Sequence, residues 1–174
     1  MLRWSQHWTP GTTVLDVACG SGRHVRHLAA LDMVVAGVDR DAAALAALAD
    51  IAETRVADIE AGPWPFPGRR FDVLLVTHYL WRPLCPTLLD SVAEGGWLVY
   101  ETFCQGNETV GKPSNPNFLL RPGELIDILR GHASDGWRIV AYEDGFLDAP
   151  ERFVQRVAAR RLPAQGEAPP RHRL

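Results

Sequence analysis

Three aspartates carry the first chemistry visible in the chain. Asp16 lies four residues before Gly20 in the stretch VLDVACGSG, while Asp39 and Asp58 each follow a short run read as a strand. Gly20 and Gly22 let the backbone turn tightly with no Cβ in the way, so a ligand can lie against the free N–H groups that open a following helix. A carboxylate at Asp16 sits poorly beside a pyrophosphate and suits a ligand carrying an ammonium group. Asp39, about twenty residues further on, is placed to accept hydrogen bonds from ribose hydroxyls. Asp58 could accept from an exocyclic amine, with Ile59 packing on an adenine ring. His78, Tyr79 and Glu101 are the groups able to take a proton from a hydroxyl or amine acceptor within hydrogen-bond reach.

These residues need strands to bring them together. Thr13–Ala18, Met33–Val38, Thr54–Ala57 and Phe71–Thr77 are apolar runs that read as strands, and Trp97–Phe103 is a fifth. Between them, helical spacing of Val25, Leu28 and Leu31 predicts a helix from Arg23, with His24, Arg26 and His27 on its polar side. Asp41 can cap a helix over Ala42–Asp50, and Cys85–Ala93 reads as another, closed by Gly95-Gly96. Glu124–Arg130 is a last helix, followed by strands at Trp137–Glu143 and Phe153–Arg161. Leu2–Trp8 reads as a short helix stopped by Thr9-Pro10-Gly11. This alternation predicts an α/β fold: a Rossmann-like, doubly wound, mostly parallel seven-stranded sheet with an antiparallel last strand. In such sheets ligands bind beyond the carboxyl ends of the strands, where all of the residues above fall. Residues 1–162 form a single domain in this reading, and residues 163–174 a flexible tail.

Bulk composition narrows the function classes. The net charge of -3 offers no footprint for nucleic acid or an anionic membrane. Seventeen of the 18 basic residues are arginine, so no single arginine marks a phosphate site on abundance alone. Cys19, Cys85 and Cys104 are scattered with no CxxC pair, which suggests neither a disulfide framework nor a zinc site. No apolar run approaches the roughly 18 residues of a membrane span. A cytoplasmic protein without a metal is expected. The bland alternatives are that Glu101 pairs with an arginine, that Tyr79 and Trp81 pack against a loop, and that His24 and His27 lie on a solvated helix face.

The ordered series VLDVACGSGRH, VVAGVDRD, ADIE, FDVLLVTHYL and AEGGWLVYETF resembles the motifs of class I S-adenosylmethionine-dependent methyltransferases, over about residues 13–103. The later run ETFCQGNETVGKPSNPNFLLRPGEL, with WRIVAYEDG, is loosely similar to small bacterial methyltransferases of the tellurite-resistance type. The resemblance implies S-adenosylmethionine as cofactor. It implies that Asp16, Ala18, Gly20, Ser21 and Gly22 line its methionine part, that Asp39 meets the ribose with Arg40 beside the adenine, that Asp58 and Ile59 hold the adenine edge, and that Thr77 and His78 flank the sulfonium. The fourth motif reads Thr77-His78-Tyr79-Leu80 and departs from the Asn or Asp-Pro-Pro-aromatic pattern of amino-directed relatives, which disfavours an sp² amine acceptor.

Methyl transfer to a small molecule by in-line displacement is the leading expectation, by a monomer or homodimer. A nicotinamide-dependent oxidoreductase is the first alternative; the third glycine of its G-x-G-x-x-G fingerprint is replaced here by Val25. A cofactor-binding protein without catalysis is the second, and a methyltransferase acting on protein or tRNA the third. Cys104–Pro122 has turn residues and no period; within it Gly106–Leu120 is expected to be a lid on the acceptor side.

Overall fold

In the computed structural model, which describes residues 2–132 and 136–163, the strands are β1 (Thr13–Val17), β2 (Val34–Asp39), β3 (Glu53–Val56), β4 (Phe71–Thr77), β5 (Val92–Phe103), β6 (Trp137–Asp148) and β7 (Glu151–Arg161). They form one sheet in the order β3-β2-β1-β4-β5-β7-β6. β1 to β5 run parallel, and β7 inserts antiparallel between β5 and β6. The tail expected at 163–174 lies, from residue 164 on, outside the described residues.

The strands that carry the site are buried on both faces. β4, FDVLLVT, is apolar at nearly every position because helices cover it from either side. On one face α1 (Arg23–Ala29), α2 (Ala42–Ala46) and the turn after it pack Val25, Leu28, Leu45 and Leu48 against Val14, Val35, Val73 and Val99, with Trp4 and Trp8 closing the layer. On the other, α3 (Cys85–Asp90) and α4 (Glu124–Gly131) pack Leu88, Leu89, Leu125 and Leu129 against Leu15, Leu74, Leu98 and Val157. Removing such side chains from water is worth roughly 25 cal/mol per Å² of apolar surface, which makes this double layer the main support of the sheet.

Local differences from the sequence expectation have local causes. α2 is only five residues long, although Asp41 caps it as expected by accepting the Ala43 and Ala44 N–H groups at 3.0 Å. The helix expected to reach Ala93 stops at Asp90. Val92 already pairs with Phe71, and the register shift before Val73↔Trp97 absorbs Gly95 and Gly96 inside β5 rather than after a helix. β6 and β7 are longer than their apolar cores suggest, because hairpin pairing continues out to Asp148↔Glu151. Leu2–His7 is a 3-10 turn. Among the described residues no helix is long and apolar enough to cross a membrane.

Candidate functional site: the strand ends around Asp16, Asp39 and Glu101

β1 leaves the sheet through a turn that only small residues accommodate. Ala18 has φ 53, Gly20 φ 53 and Gly22 φ 75, all in the left-handed region. A Cβ on Gly22 would collide with Leu48 Cδ1, so the turn after α2 packs directly against this one, whereas the Cβ direction of Gly20 faces open space. The Asp39 carboxylate accepts the Gly20 N–H at 2.8 Å and, with its other oxygen, the Asp41 N–H at 2.9 Å. Asp39 thus ties the end of β2 to the glycine turn. Ser21 is exposed at its crest.

Asp16 is fully buried, and neither carboxylate oxygen has a hydrogen-bond partner. Burial drives its pKa from 3.8 up to about 8; the Arg23 charge offsets part of this and Asp39 adds to it. A buried polar group without a partner is costly, so this carboxylate is suited to a ligand bringing N–H donors or positive charge. His24 corrects the sequence expectation. It is buried rather than solvated, with Nδ1 3.9 Å from Asp16 Oδ2, and burial together with Arg23 lowers its pKa to about 4. His27 is exposed, as expected.

Beyond the ends of β1 to β3 lies a cavity of about 310 Å³. Its walls include Ala18, Asp39, Arg40, Asp58, Ile59 and Tyr79, six of the residues singled out in sequence, together with Ala57, Glu60 and Phe118. One Asp58 oxygen caps the following turn by accepting the Glu60 and Ala61 N–H groups at 3.0 and 3.2 Å. The Tyr79 hydroxyl is buried beside Glu60, and burial, with the charges of Glu60 and Asp58, pushes its pKa above the ordinary phenol value. Tyr79 therefore belongs to this cavity and is a poor base at neutral pH. Phe118 was missed in sequence because it sits in an aperiodic loop with no motif. The loop expected to be a lid on the acceptor side contributes this side chain to the cavity wall.

Thr77, His78 and Glu101 form a second group at the ends of β4 and β5, where Thr77 pairs with Glu101. His78 has φ 54, and its N–H donates to the Glu101 carbonyl at 2.9 Å. Its Nε2 lies 3.5 Å from Glu101 Oε1, and its ring sits 4.9 Å from that of Phe103. Burial alone would raise the Glu101 pKa. Hydrogen bonding to His78 and the adjacent Arg156 guanidinium outweigh it and bring the carboxyl down to about 2. Arg156, opposite Glu101 on β7, also bonds Glu143 at 3.2 Å, and Glu143 accepts from Arg3 at 2.5 Å. Among arginines of even abundance nothing in sequence distinguishes Arg156; the antiparallel register of β7 selects it.

Residues 14–95 match the family model described as a methyltransferase domain. No curated protein matches the sequence. Solved structures share the fold at low identity. A SAM-dependent methyltransferase from Methanosarcina mazei superposes with TM-score 0.73 at 15% identity, covering 94% of this chain and 98% of its own. TehB from Haemophilus influenzae gives TM-score 0.71 at 20% identity over 91% of this chain, which spans only 60% of the TehB chain. An S-adenosylmethionine-dependent methyltransferase from Mesorhizobium loti gives 0.68 at 17%, covering 88% and 92%. With the sheet order and the glycine turn between Asp16 and Asp39 in agreement, residues 14–95 match a methyltransferase-domain model, and the chain has the fold of S-adenosylmethionine-dependent methyltransferases.

Proposed function

We propose that this enzyme, acting as one domain over residues 1–162, transfers the methyl group of S-adenosylmethionine to a small molecule whose acceptor atom bears a removable proton. The observation that carries the donor half of this reading is the buried, unpartnered Asp16 carboxylate beside the glycine turn. Asp16 would receive the cofactor's ammonium, with Ala18, Gly20, Ser21 and Gly22 along its methionine part. Asp39 would hold the ribose, Arg40, Asp58 and Ile59 the adenine, and Thr77 and His78 the neighbourhood of the sulfonium. When bound, S-adenosylmethionine supplies an activated methyl group on a good leaving group, so the protein has mainly to align the acceptor about 3 Å from it.

The three candidate bases separate by environment. Tyr79 holds its proton too firmly, and Glu101 too weakly, to accept one at neutral pH. His78 is half-exposed, and with Nε2–H directed at anionic Glu101 its Nδ1 is left as the proton acceptor. Glu101, braced by Arg156, positions the ring. The negative net charge supports a small acceptor over nucleic acid, and the reading is of a cytoplasmic enzyme, monomeric or homodimeric. The test is incubation with methyl-labelled S-adenosylmethionine and a panel of phenols, thiols and aliphatic alcohols. At least one is expected to be methylated, with His78→Asn slower by about 10²–10⁴-fold, the usual contribution of a general base. Labelling confined to protein or tRNA would contradict the small-molecule reading.

A further inference from the structure

We propose that Phe118, on the loop after β5, is a nucleoside-binding residue of this enzyme and that Arg82, on the turn after β4, is the positioning residue that presents it. The inference rests on the donor reading above and adds a contact from outside residues 14–95, the segment matched by the methyltransferase model. Phe118 leaves 43% of its surface exposed, yet it lines the cavity shared by Asp39, Asp58, Ile59 and Tyr79. A large apolar ring left in water beside carboxylates has an uncovered face, and a purine fits it. Ile59 and Phe118 supply apolar surface for a flat ring, while Asp58 and Glu60 supply acceptors for its exocyclic amine.

The loop is built to hold the ring there. Arg82 donates to the Asn117 carbonyl at 2.7 Å and to the Leu119 carbonyl at 2.8 Å, the two carbonyls that flank Phe118. The same guanidinium grips the buried Glu124 carboxylate at 2.6 and 3.0 Å. Asn115 caps the short turn over Pro116–Phe118 by accepting the Asn117 N–H at 3.0 Å. Immediately after Phe118 the chain is fixed: Leu119 and Leu120 are buried, and the Leu120 N–H donates to the Phe103 carbonyl at 3.0 Å. A five-donor planar guanidinium can hold two carbonyls and a carboxylate together in this way, and a lysine cannot. Arg82 thereby links the exits of β4 and β5 on the nucleoside side of the site.

The test uses the full chain and two probes, S-adenosylhomocysteine and adenosine, with dissociation constants from calorimetry. Phe118→Ala is expected to weaken both by a similar factor of about ten or more, the scale of one aromatic contact to a base, and Phe118→Trp to retain binding. Arg82→Gln is expected to weaken binding of both in wild type and to add little in a Phe118→Ala background, because it acts through that ring. A merely structural Arg82 would lower the melting temperature and weaken binding equally in both backgrounds. Unchanged affinity in Phe118→Ala, or a loss confined to S-adenosylhomocysteine, overturns the inference while the donor reading stands. A wild-type protein that binds neither probe overturns the donor reading itself.

Discussion

The Asp39 carboxylate accepts the Gly20 N–H at 2.8 Å, so the end of β2 holds the turn that follows β1. One residue therefore has two tasks, bracing the loop and facing the cavity. Asp39→Ala is expected to weaken S-adenosylhomocysteine binding by about 1–3 kcal/mol, the scale of lost hydrogen bonds at a charged group. Asp39→Asn keeps an acceptor oxygen for Gly20 and should recover part of the loss. An unchanged dissociation constant in folded Asp39→Ala would remove Asp39 from the site.

Asp16 makes the ligand-free protein pH-sensitive in a defined window. Its pKa is raised from 3.8 to about 8, so its contribution is intact below pH 3.8 and lost as pH rises towards 8. That of His24 is lowered from 6.5 to about 4, so stability is lost as pH falls through that range. Between pH 4 and 6.5 the two slopes oppose each other, and from 6.5 to 8 the slope from Asp16 is no longer offset by His24. The melting temperature is expected to fall from pH 6.5 to 8 in wild type and to stay level in Asp16→Asn. A bound ammonium favours the ionised carboxylate, so cofactor binding at pH 7 should release protons, seen as heats that vary with the buffer's ionisation enthalpy. Asp16→Asn should abolish that release.

The two glycines of the turn make separable predictions. Both have positive φ, where an alanine is strained by about 1–2 kcal/mol. Gly22→Ala also drives a methyl into Leu48 and should cost clearly more stability in denaturant unfolding. Gly20→Ala meets no protein atom within 4 Å and should instead weaken cofactor binding, because its methyl projects into open space. Equal stability losses with equal affinity would contradict this assignment of the two faces.

Glu101 should show itself in acid. Its pKa is depressed from 4.5 to about 2, so the stability it contributes is present above pH 4.5 and lost as pH falls towards 2. Glu101→Gln is expected to flatten the stability profile between those limits. The other lowered carboxyls, Glu53, Glu124 and Glu143, leave a slope of the same sign. An unchanged profile would mean that Arg156 and His78 do not hold this carboxylate.

Much of the fold was legible because strands buried on both faces need unbroken apolar runs: β4 was readable to its end residues, and Asp41 announced its cap. The cavity wall was legible at Asp39, Arg40, Asp58 and Ile59 because these follow strand ends in order. What escaped were contacts set by tertiary register. His24 reads as one of several polar residues on a helix face, and it is the packing of α1 on the sheet that buries it, 3.9 Å from Asp16. Arg156 is one arginine among many until β7 is paired with β5. Phe118 has no periodic neighbours and is aimed by Arg82, thirty-six residues earlier in the chain.

The most direct test of the account is calorimetric titration of the purified chain with S-adenosylhomocysteine, alongside NADH as the competing nucleotide. Saturable binding of S-adenosylhomocysteine at one site is expected, abolished or strongly weakened in Asp16→Asn, with no binding of NADH. Binding of NADH in preference to S-adenosylhomocysteine, or affinity for S-adenosylhomocysteine that is indifferent to Asp16, would contradict it.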